Sequence, residues 1–362
     1  MVALCPSYSL RSDEALKCVG AARGTAFERI IFQKQYDPTR SVFIIQNCIV
    51  QSEFIMIVYN ELSTVERELG ISAKTLYSVS NSISKHYRAV SIPKRDGSFR
   101  HLSVPDERLK AIQRAIAEKL LVREPVSTYA TAYRIAVGIN RNAIPHVGKP
   151  KILKLDIKGF FDSITYSLVK ERAFPKGKYS EQIRVLLAML CYYGESLPQG
   201  APSSPIISNI IMCGFDEYVG IWCKERGIAY TRYCDDMTFS GEFKHKEVIR
   251  LVADELRKLG LFLNEKKTVV VDRSERQIVT GVLVNEKVNV TAEYRRRIKQ
   301  EVYYCSKFGV EDHLLRNNIN TAPEKYLLGL LGRINYVLQI RPDDKPFAEY
   351  RESIKALMRQ YK

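Results

Sequence analysis

Two adjacent carboxylates, Asp235 and Asp236, stand between two apolar, strand-like pieces, GIAYTRY and MTFSG. Side by side in such surroundings they repel one another, and burial by itself would raise their pKa values. A divalent cation lets both stay ionised. A third acid, Asp156, lies in KILKLDI, where the two-residue period of a strand sets Lys154 and Asp156 opposite Leu153, Leu155 and Ile157. If that strand lies beside the 235–236 hairpin, three carboxylates converge. Such a cluster suits two Mg²⁺ ions about 4 Å apart, clamping the attacking and leaving oxygens of a phosphoryl transfer. An Asp-Asp pair taken alone is more often a solvated turn, so the surroundings must decide.

The elements that would position these acids can be read in outline. ELSTVERELG and SAKTLYSVSNSISKHY read as short helices. AVSIPKRDGSFRHLSVP reads as two extended segments joined by Asp96-Gly97, a hairpin signal. DERLKAIQRAIAEKLL is an amphipathic helix, with Leu109, Ile112, Ile116 and Leu120 at helical spacing. After the strand KILKLDI, a loop with Pro198, Pro202 and Pro205 opens the helix ISNIIMCGFDEYVGIWCKERG, whose Ile207, Ile211, Phe215, Tyr218 and Trp222 share one face. The two strands around Cys234-Asp235-Asp236 follow, then a helix with Val248, Val252, Leu256 and Leu259, then LFLNEKKTVVVD. Strand, helix, strand, strand, helix, strand is the order of a ferredoxin-type split β-α-β sheet. Beyond Asn285 the chain reads as helical and basic, with RRRIKQEVYYCSK and YLLGLLGRINYVLQI. Residues 1–60 carry no motif, and the chain has no internal repeat.

Charge narrows the partners. Against 40 Asp+Glu stand 56 Lys+Arg, a net +16 in 362 residues that are 46% hydrophobic. A surplus of this size points to a polyanion, nucleic acid or anionic membrane, with a merely basic soluble protein as the plain alternative. Membrane is the poorer choice: the most apolar stretch, Val42 to Val58, is broken by Gln46, Asn47 and Gln51-Ser52-Glu53, and a spanning helix needs about 20 nearly uninterrupted apolar residues. MVALCPSYSL lacks the basic and apolar regions of a secretory signal, so no membrane partner and a cytoplasmic location are expected. Eight scattered cysteines without a C-x-x-C, and five histidines without an H-E-x-x-H, offer no zinc site. Any metal should be a hard cation on carboxylates.

YTRYCDDMTFS, with KLDIKGFFDSIT upstream and LPQGAPSSPIISN between them, resembles the palm motifs of reverse transcriptases. The resemblance spans about residues 70–340, and the three motifs fall in the family's order. It implies that Asp156, Asp235 and Asp236 are the catalytic, metal-binding residues, whereas Asp162 matches a position that is not usually a ligand and reads as a helix cap. Phe161 matches the steric gate, an aromatic ring under the sugar that leaves no room for a 2′-hydroxyl. Gln199 matches the glutamine bordering the incoming nucleotide, and Lys94 and Arg100 the fingers cations that hold the triphosphate. Lys267, with Lys266 beside it, matches a lysine that gives a proton to pyrophosphate. Read without the family, Phe161 is a core ring beside Phe160, and the two cations are exposed hairpin residues.

Two further segments narrow the resemblance to retron reverse transcriptases. RNAIPH fits their N-A-x-x-H pattern through Asn142 and His146, and Val279-Thr280-Gly281 fits the VTG triplet after the palm. Read individually, Asn142 is a turn residue, His146 a structural histidine and Gly281 a bulge. The box reads YCDD where many retron enzymes have alanine, a tolerable exchange for the small cysteine.

The fold so implied is an α+β right hand: an N-terminal extension of unknown role over 1–60, fingers over 61–150, a ferredoxin-like palm over 151–285 and a helical thumb over 286–362. The roughly 75 residues after Asn285 are too few to hold an RNase H domain as well as a thumb. The activity implied is RNA-directed DNA synthesis with two Mg²⁺ and deoxynucleoside triphosphates. The implied substrate is a cognate structured noncoding RNA, primed from an internal 2′-hydroxyl to give branched RNA–DNA (msDNA). An effector protein in anti-phage defence is the implied partner. Asn142, His146, Val279, Thr280, Gly281 and the thumb's Arg295, Arg296 and Arg297 are expected to meet RNA or template–primer, with a solvated helix face as the plain alternative for the arginines. Other bacterial reverse transcriptases (group II intron, diversity-generating, abortive-infection) are the same-class rivals. A non-catalytic RNA-binding scaffold is the rival from another class.

Overall fold

The computed structural model describes residues 58–93, 97, 99–134 and 137–361; the expected N-terminal extension, apart from its last residues, and Lys94 lie outside them. Two short helices, α1 (Leu62–Leu69) and α2 (Ala73–Ser80), open the described chain. Strands β1 (Tyr87–Pro93) and β2 (Phe99–Pro105) pair antiparallel from Tyr87–Pro105 to Pro93–Phe99, around Gly97 at φ 82°. Helix α3 (Glu107–Ala115) starts where Asp106 accepts from the Leu109 amide at 2.9 Å. It continues through a wider turn over Ile116–Leu120, and Leu109, Ile112, Ile116 and Leu120 are all buried as their spacing predicts. The short α4 (Ile139–Ala143) carries the N-A-x-x-H segment.

The sheet that holds the acids uses β3 (Lys151–Asp156), then α5 (Phe160–Ser163), α6 (Tyr166–Leu168), α7 (Glu181–Cys191) and α8 (Ser204–Glu225), then β4 (Ala229–Tyr233), β5 (Asp236–Ser240), α9 (His245–Arg257) and β6 (Val269–Asp272). Its order is β4-β5-β3-β6, antiparallel throughout, so β3 inserts between two strands that follow it in the chain. This is the interleaved ferredoxin-type arrangement expected. Alternation explains its faces. Leu153 and Leu155 of β3, Met237 and Phe239 of β5 and Tyr230 of β4 join one large core with α8 and α9. On α8 the buried line runs Ile207, Ile211, Phe215, Val219, Cys223, while Tyr218 is exposed and Trp222 half-buried. The expected stripe departs from the structure at Tyr218, because steps of four keep pace with the core here; Trp222 packs against the edge of that core, with Arg226 over its ring at 4.2 Å.

A second core lies on the other side of β3. It gathers Ile152 with Ala143 and with Val279 and Val282 of a small hairpin, β7 (Ile278–Val279) and β8 (Val282–Leu283). It continues into α10 (Ala292–Phe308), α11 (Val310–Arg316), α12 (Pro323–Ile340) and α13 (Lys345–Met358) through Ile298, Val302, Leu330 and Ile334. Each such side chain contributes about 1.5–3 kcal/mol on burial. β3 is thus packed on both faces by apolar side chains at its start, whereas at its end Asp156 is covered by polar groups, Asn264 and Lys267.

Candidate active site

Register brings the acids together. Asp156 lies opposite Asp236 across the β3–β5 pair, and Asp236 opposite Tyr233 across β4–β5. Asp236 is therefore inside a strand, and only Cys234 and Asp235 form the turn. Cys234 takes φ 62°, a left-handed conformation uncommon for a side-chain-bearing residue. The strained turn is held from below. Arg232, fully buried, donates to the Cys234 carbonyl at 2.7 Å, to Asn209 Oδ1 at 3.2 Å and to both oxygens of buried Asp216. Burial would discharge the guanidinium, but Asp216 outweighs it and keeps the pKa raised. The Tyr133 hydroxyl donates to Cys234 Sγ at 3.2 Å, and the Ile157 amide to the Asp235 carbonyl at 3.1 Å. Sequence reading missed Arg232, Asp216 and Asn209. The one signal was a charged residue on the apolar face of a strand.

The electrostatics are those of excess negative charge. Asp156 is buried, and it accepts from Asn264 Nδ2 at 3.1 Å and from Lys267 Nζ at 2.8 Å. Lys267 is raised first by that hydrogen bond. Asp236 reaches solvent, yet the surrounding protein desolvates its carboxyl, and Asp235 and Asp156 add like charge; its pKa rises to about 6. Among the described residues no three acid, imidazole or thiol groups stand ready-made around one cation position. The donor set nevertheless fits a hard divalent cation: carboxylate oxygens only, on two adjoining strands and the turn beside them.

The other expected nucleotide residues surround the end of β3. Phe160 is buried in the large core, and Phe161 packs edge-on against it at 5.4 Å but keeps a surface. Of the two rings, Phe161 is the one available to a ligand. Its carbonyl accepts from the Leu197 amide, and Gln199 Nε2 donates to Asp162 Oδ1 at 3.3 Å, so the Gln199 loop is fastened to α5. Gly200, at φ 121°, lies so near β2 that a Cβ would stand 3.1 Å from the Ser103 carbonyl, a close approach that suits glycine. Arg100 is exposed on β2, opposite Ile92.

Several RNA-facing expectations are corrected by burial. Asn142, His146 and Val279 have at most 1% of their surface exposed, too little to meet a ligand. The histidine ring bridges Ser240 Oγ at 2.7 Å and Thr231 Oγ1 at 2.8 Å, one nitrogen donating and the other accepting. Burial lowers its pKa to about 3, so it is neutral. Asn142 accepts from Thr131 at 2.8 Å and donates to Thr280 Oγ1 at 3.1 Å. That bond joins the N-A-x-x-H and VTG segments across the chain. Thr280 and Gly281, at φ 44° and 85°, form a two-residue hairpin turn rather than a bulge. Holding β-branched Thr280 there costs about 1–3 kcal/mol, which its Asn142 bond offsets in part; Thr280 and Gly281 alone of this group keep a surface.

On α10, Arg295 is also structural. It pairs with the buried Asp344 at 2.6 Å and lies over the Phe347 ring, tying α10 to α13. Arg296 and Arg297 are exposed, the latter donating to Glu301 at 3.1 Å. Burial alone would raise the Glu301 carboxyl, but the Arg333 fork and the Tyr326 hydroxyl outweigh it and hold it low.

Comparison with known proteins agrees with this geometry. The family model for reverse transcriptase (RNA-dependent DNA polymerase) matches residues 92–291. Retron Mx65 reverse transcriptase of Myxococcus xanthus is 34% identical over 79% of this chain and 70% of its own length. The Escherichia coli Retron Ec83 enzyme is 36% identical over 68% of this chain and 81% of its own, and Retron Ec86 reverse transcriptase 30% identical over 71% and 82%. A solved apo telomerase from Candida tropicalis overlays loosely, with TM-score 0.43 and 14% identity over 80% of this chain and 63% of that one. The chain belongs to the reverse transcriptases, RNA-directed DNA polymerases with a right-hand fold, and within them to the retron type.

Proposed function

We propose that this polymerase copies a cognate structured RNA in the cytoplasm, starting from an internal 2′-hydroxyl and leaving branched RNA–DNA (msDNA), as the synthetic arm of an anti-phage system with an effector protein. The observation that carries the catalytic part is the Asp156–Asp236 register with Asp235 at the adjoining turn. Asp156, Asp235 and Asp236 would hold two Mg²⁺. Bound there, these ions lower the cost of charge on the attacking and leaving oxygens. Binding competes with Lys267 for Asp156, which couples the lysine to cation occupancy.

The protein's own groups do the rest. Phe161 presents its ring below the sugar of a deoxynucleoside triphosphate and excludes a 2′-hydroxyl. Gln199 borders the same nucleotide on a loop held by Asp162. Arg100 and Lys94 offset the triphosphate charge, and Lys267 is the cation nearest the acids able to give a proton to departing pyrophosphate. The hydroxyl oxygen attacks the α-phosphorus and gives up its proton to water, while the bond from that phosphorus to the oxygen bridging to the β-phosphate breaks and pyrophosphate leaves. Arg296 and Arg297 extend a basic surface for the duplex.

Support for the retron-specific part is the likeness to retron enzymes and the N-A-x-x-H and VTG segments. The test is to express the chain with its flanking DNA and run extracted nucleic acid on a denaturing gel. A small DNA is expected that shortens with ribonuclease and whose RNA junction yields to a 2′–5′ debranching enzyme. A linear product, or DNA free of RNA, overturns the branched-priming reading.

A further inference from the structure

Two donors of opposite character hold the Asp156 carboxylate, and both come from one turn. Beyond β3 the backbone keeps pairing with residues 262–264. The Lys158 amide donates to the Phe262 carbonyl at 2.9 Å, Ile157 bridges Leu263, and the Asn264 amide donates to the Asp156 carbonyl at 2.8 Å. From that fixed backbone Asn264 Nδ2 reaches Asp156 Oδ1 at 3.1 Å. Three residues on, the Lys267 amide closes the turn on the Asn264 carbonyl at 3.0 Å. Lys267 Nζ then reaches the other carboxylate oxygen, Oδ2, at 2.8 Å.

The two donors differ in how they respond to an arriving cation. The lysine is a full charge on a flexible arm with 62% of its side chain exposed, so it competes with a metal ion and can swing out to solvent. The asparagine is neutral, half-buried and tied by its own backbone to the strand it serves. An ionised carboxylate only accepts, so the amide must turn its nitrogen to it. That bond stops the carboxylate from turning without cancelling its charge. It leaves Oδ2 as the oxygen that changes partner.

We infer, resting on the reading that the three acids bind divalent cations, that Asn264 is the positioning residue for Asp156: it fixes the carboxylate so that a cation displacing Lys267 meets an oxygen already aimed. Asn264 acts through Asp156 and takes no part in bond making. One turn thus carries a residue that assists cation binding and another that opposes it.

The test uses those opposite signs. The full chain is titrated with Mn²⁺, a cation suited to carboxylates whose free ion gives an electron paramagnetic resonance signal that binding removes. Asn264→Leu, of like shape and without a donor, is expected to raise the Mn²⁺ Kd roughly tenfold, as loss of a group orienting a metal ligand does. Lys267→Met is expected to lower it about two- to fivefold, the worth of an exposed ion pair, and to do so in the Asn264→Leu background as well. An unchanged or lower Kd in Asn264→Leu overturns the proposal. So does a Lys267→Met change that vanishes in that background, because the turn has then let go as a whole. Should melting curves in EDTA show Asn264→Leu unfolded, Asn264→Ser, polar but too short to reach Oδ1, takes its place with the same expectation. Unfolding of both overturns the proposal by making the residue one that serves folding. Wild-type protein that leaves the Mn²⁺ signal untouched overturns the metal reading and this proposal together, whereas wild-type binding that Asn264→Leu does not weaken overturns this proposal alone.

Discussion

The free face of the β3–β5–β4 sheet has two ends built from the same strands and opposite logic. At the closed end, Thr231 and Ser240 meet His146, and Asn142 meets Thr131 and Thr280; the groups are neutral and satisfy one another. At the open end, Asp156, Asp235 and Asp236 share negative charge, relieved in part by Lys267 and Asn264. Neutral networks that are complete contribute stability and a unique geometry. A cluster left short of positive charge gives up stability and gains affinity for cations. Family motifs occur at both ends, but only the open end can do chemistry.

That contrast can be broken from either side. The largest expected effect is at the open end: Asp235→Asn should lower DNA synthesis on the order of 10⁴-fold, as loss of a metal ligand would. The fold should survive. Because the raised pKa of Asp236 means that ionising it opposes folding, metal-free protein should lose stability as pH rises from the ordinary carboxylate range through about 6, and Mg²⁺ should restore it. Melting scans in EDTA and in Mg²⁺ check both signs; a metal-free protein that gains stability across that window would contradict the charge surplus.

Next in size is the support beneath the turn. Asp216→Ala leaves Arg232 buried and unpaired, at a cost of about 3–5 kcal/mol. Chemical denaturation should show it, and residual folded protein should polymerise poorly because the Cys234 carbonyl loses its anchor.

The closed end should respond in stability before chemistry. His146→Gln should cost about 1–3 kcal/mol at pH 7.5, since Ser240 or Thr231 is left unsatisfied. The wild-type histidine, neutral when folded, contributes fully above its ordinary pKa of 6.5, and that contribution is lost as pH falls toward about 3. The gap between wild type and His146→Gln should therefore narrow on acidification, which paired denaturation curves at pH 7.5 and 5 measure.

The smallest effect is pairwise. Asn142→Ala and Thr280→Val, alone and combined, should show a coupling of about 0.5–1.5 kcal/mol. Additive losses would mean that the two motifs are neighbours without being joined.

The fold is legible in the sequence wherever the physics is local. The period of two in KILKLDI separated Asp156 from Leu153 and Leu155, and helical spacing found the buried face of α3. Alternation along a strand does not say what covers each face. The second face of the sheet is hidden near Ile152 and open near Asp156, so Asn142 and His146 look alike in sequence whether they meet RNA or close a core. Arg295 and Arg296 are neighbours on one helix, yet only a partner 49 residues away, Asp344, makes the first structural.

By itself the chain determined which residues carry charge, which strands have an apolar side and which motifs stand in order, because each of these is set within a few residues. Only the tertiary structure decided that Asp156 faces Asp236, that Arg232 props the turn through Asp216, and that Asn142 reaches Thr280. Those pairings join residues from 16 to 138 positions apart, and their register follows from how two cores pack against a single strand.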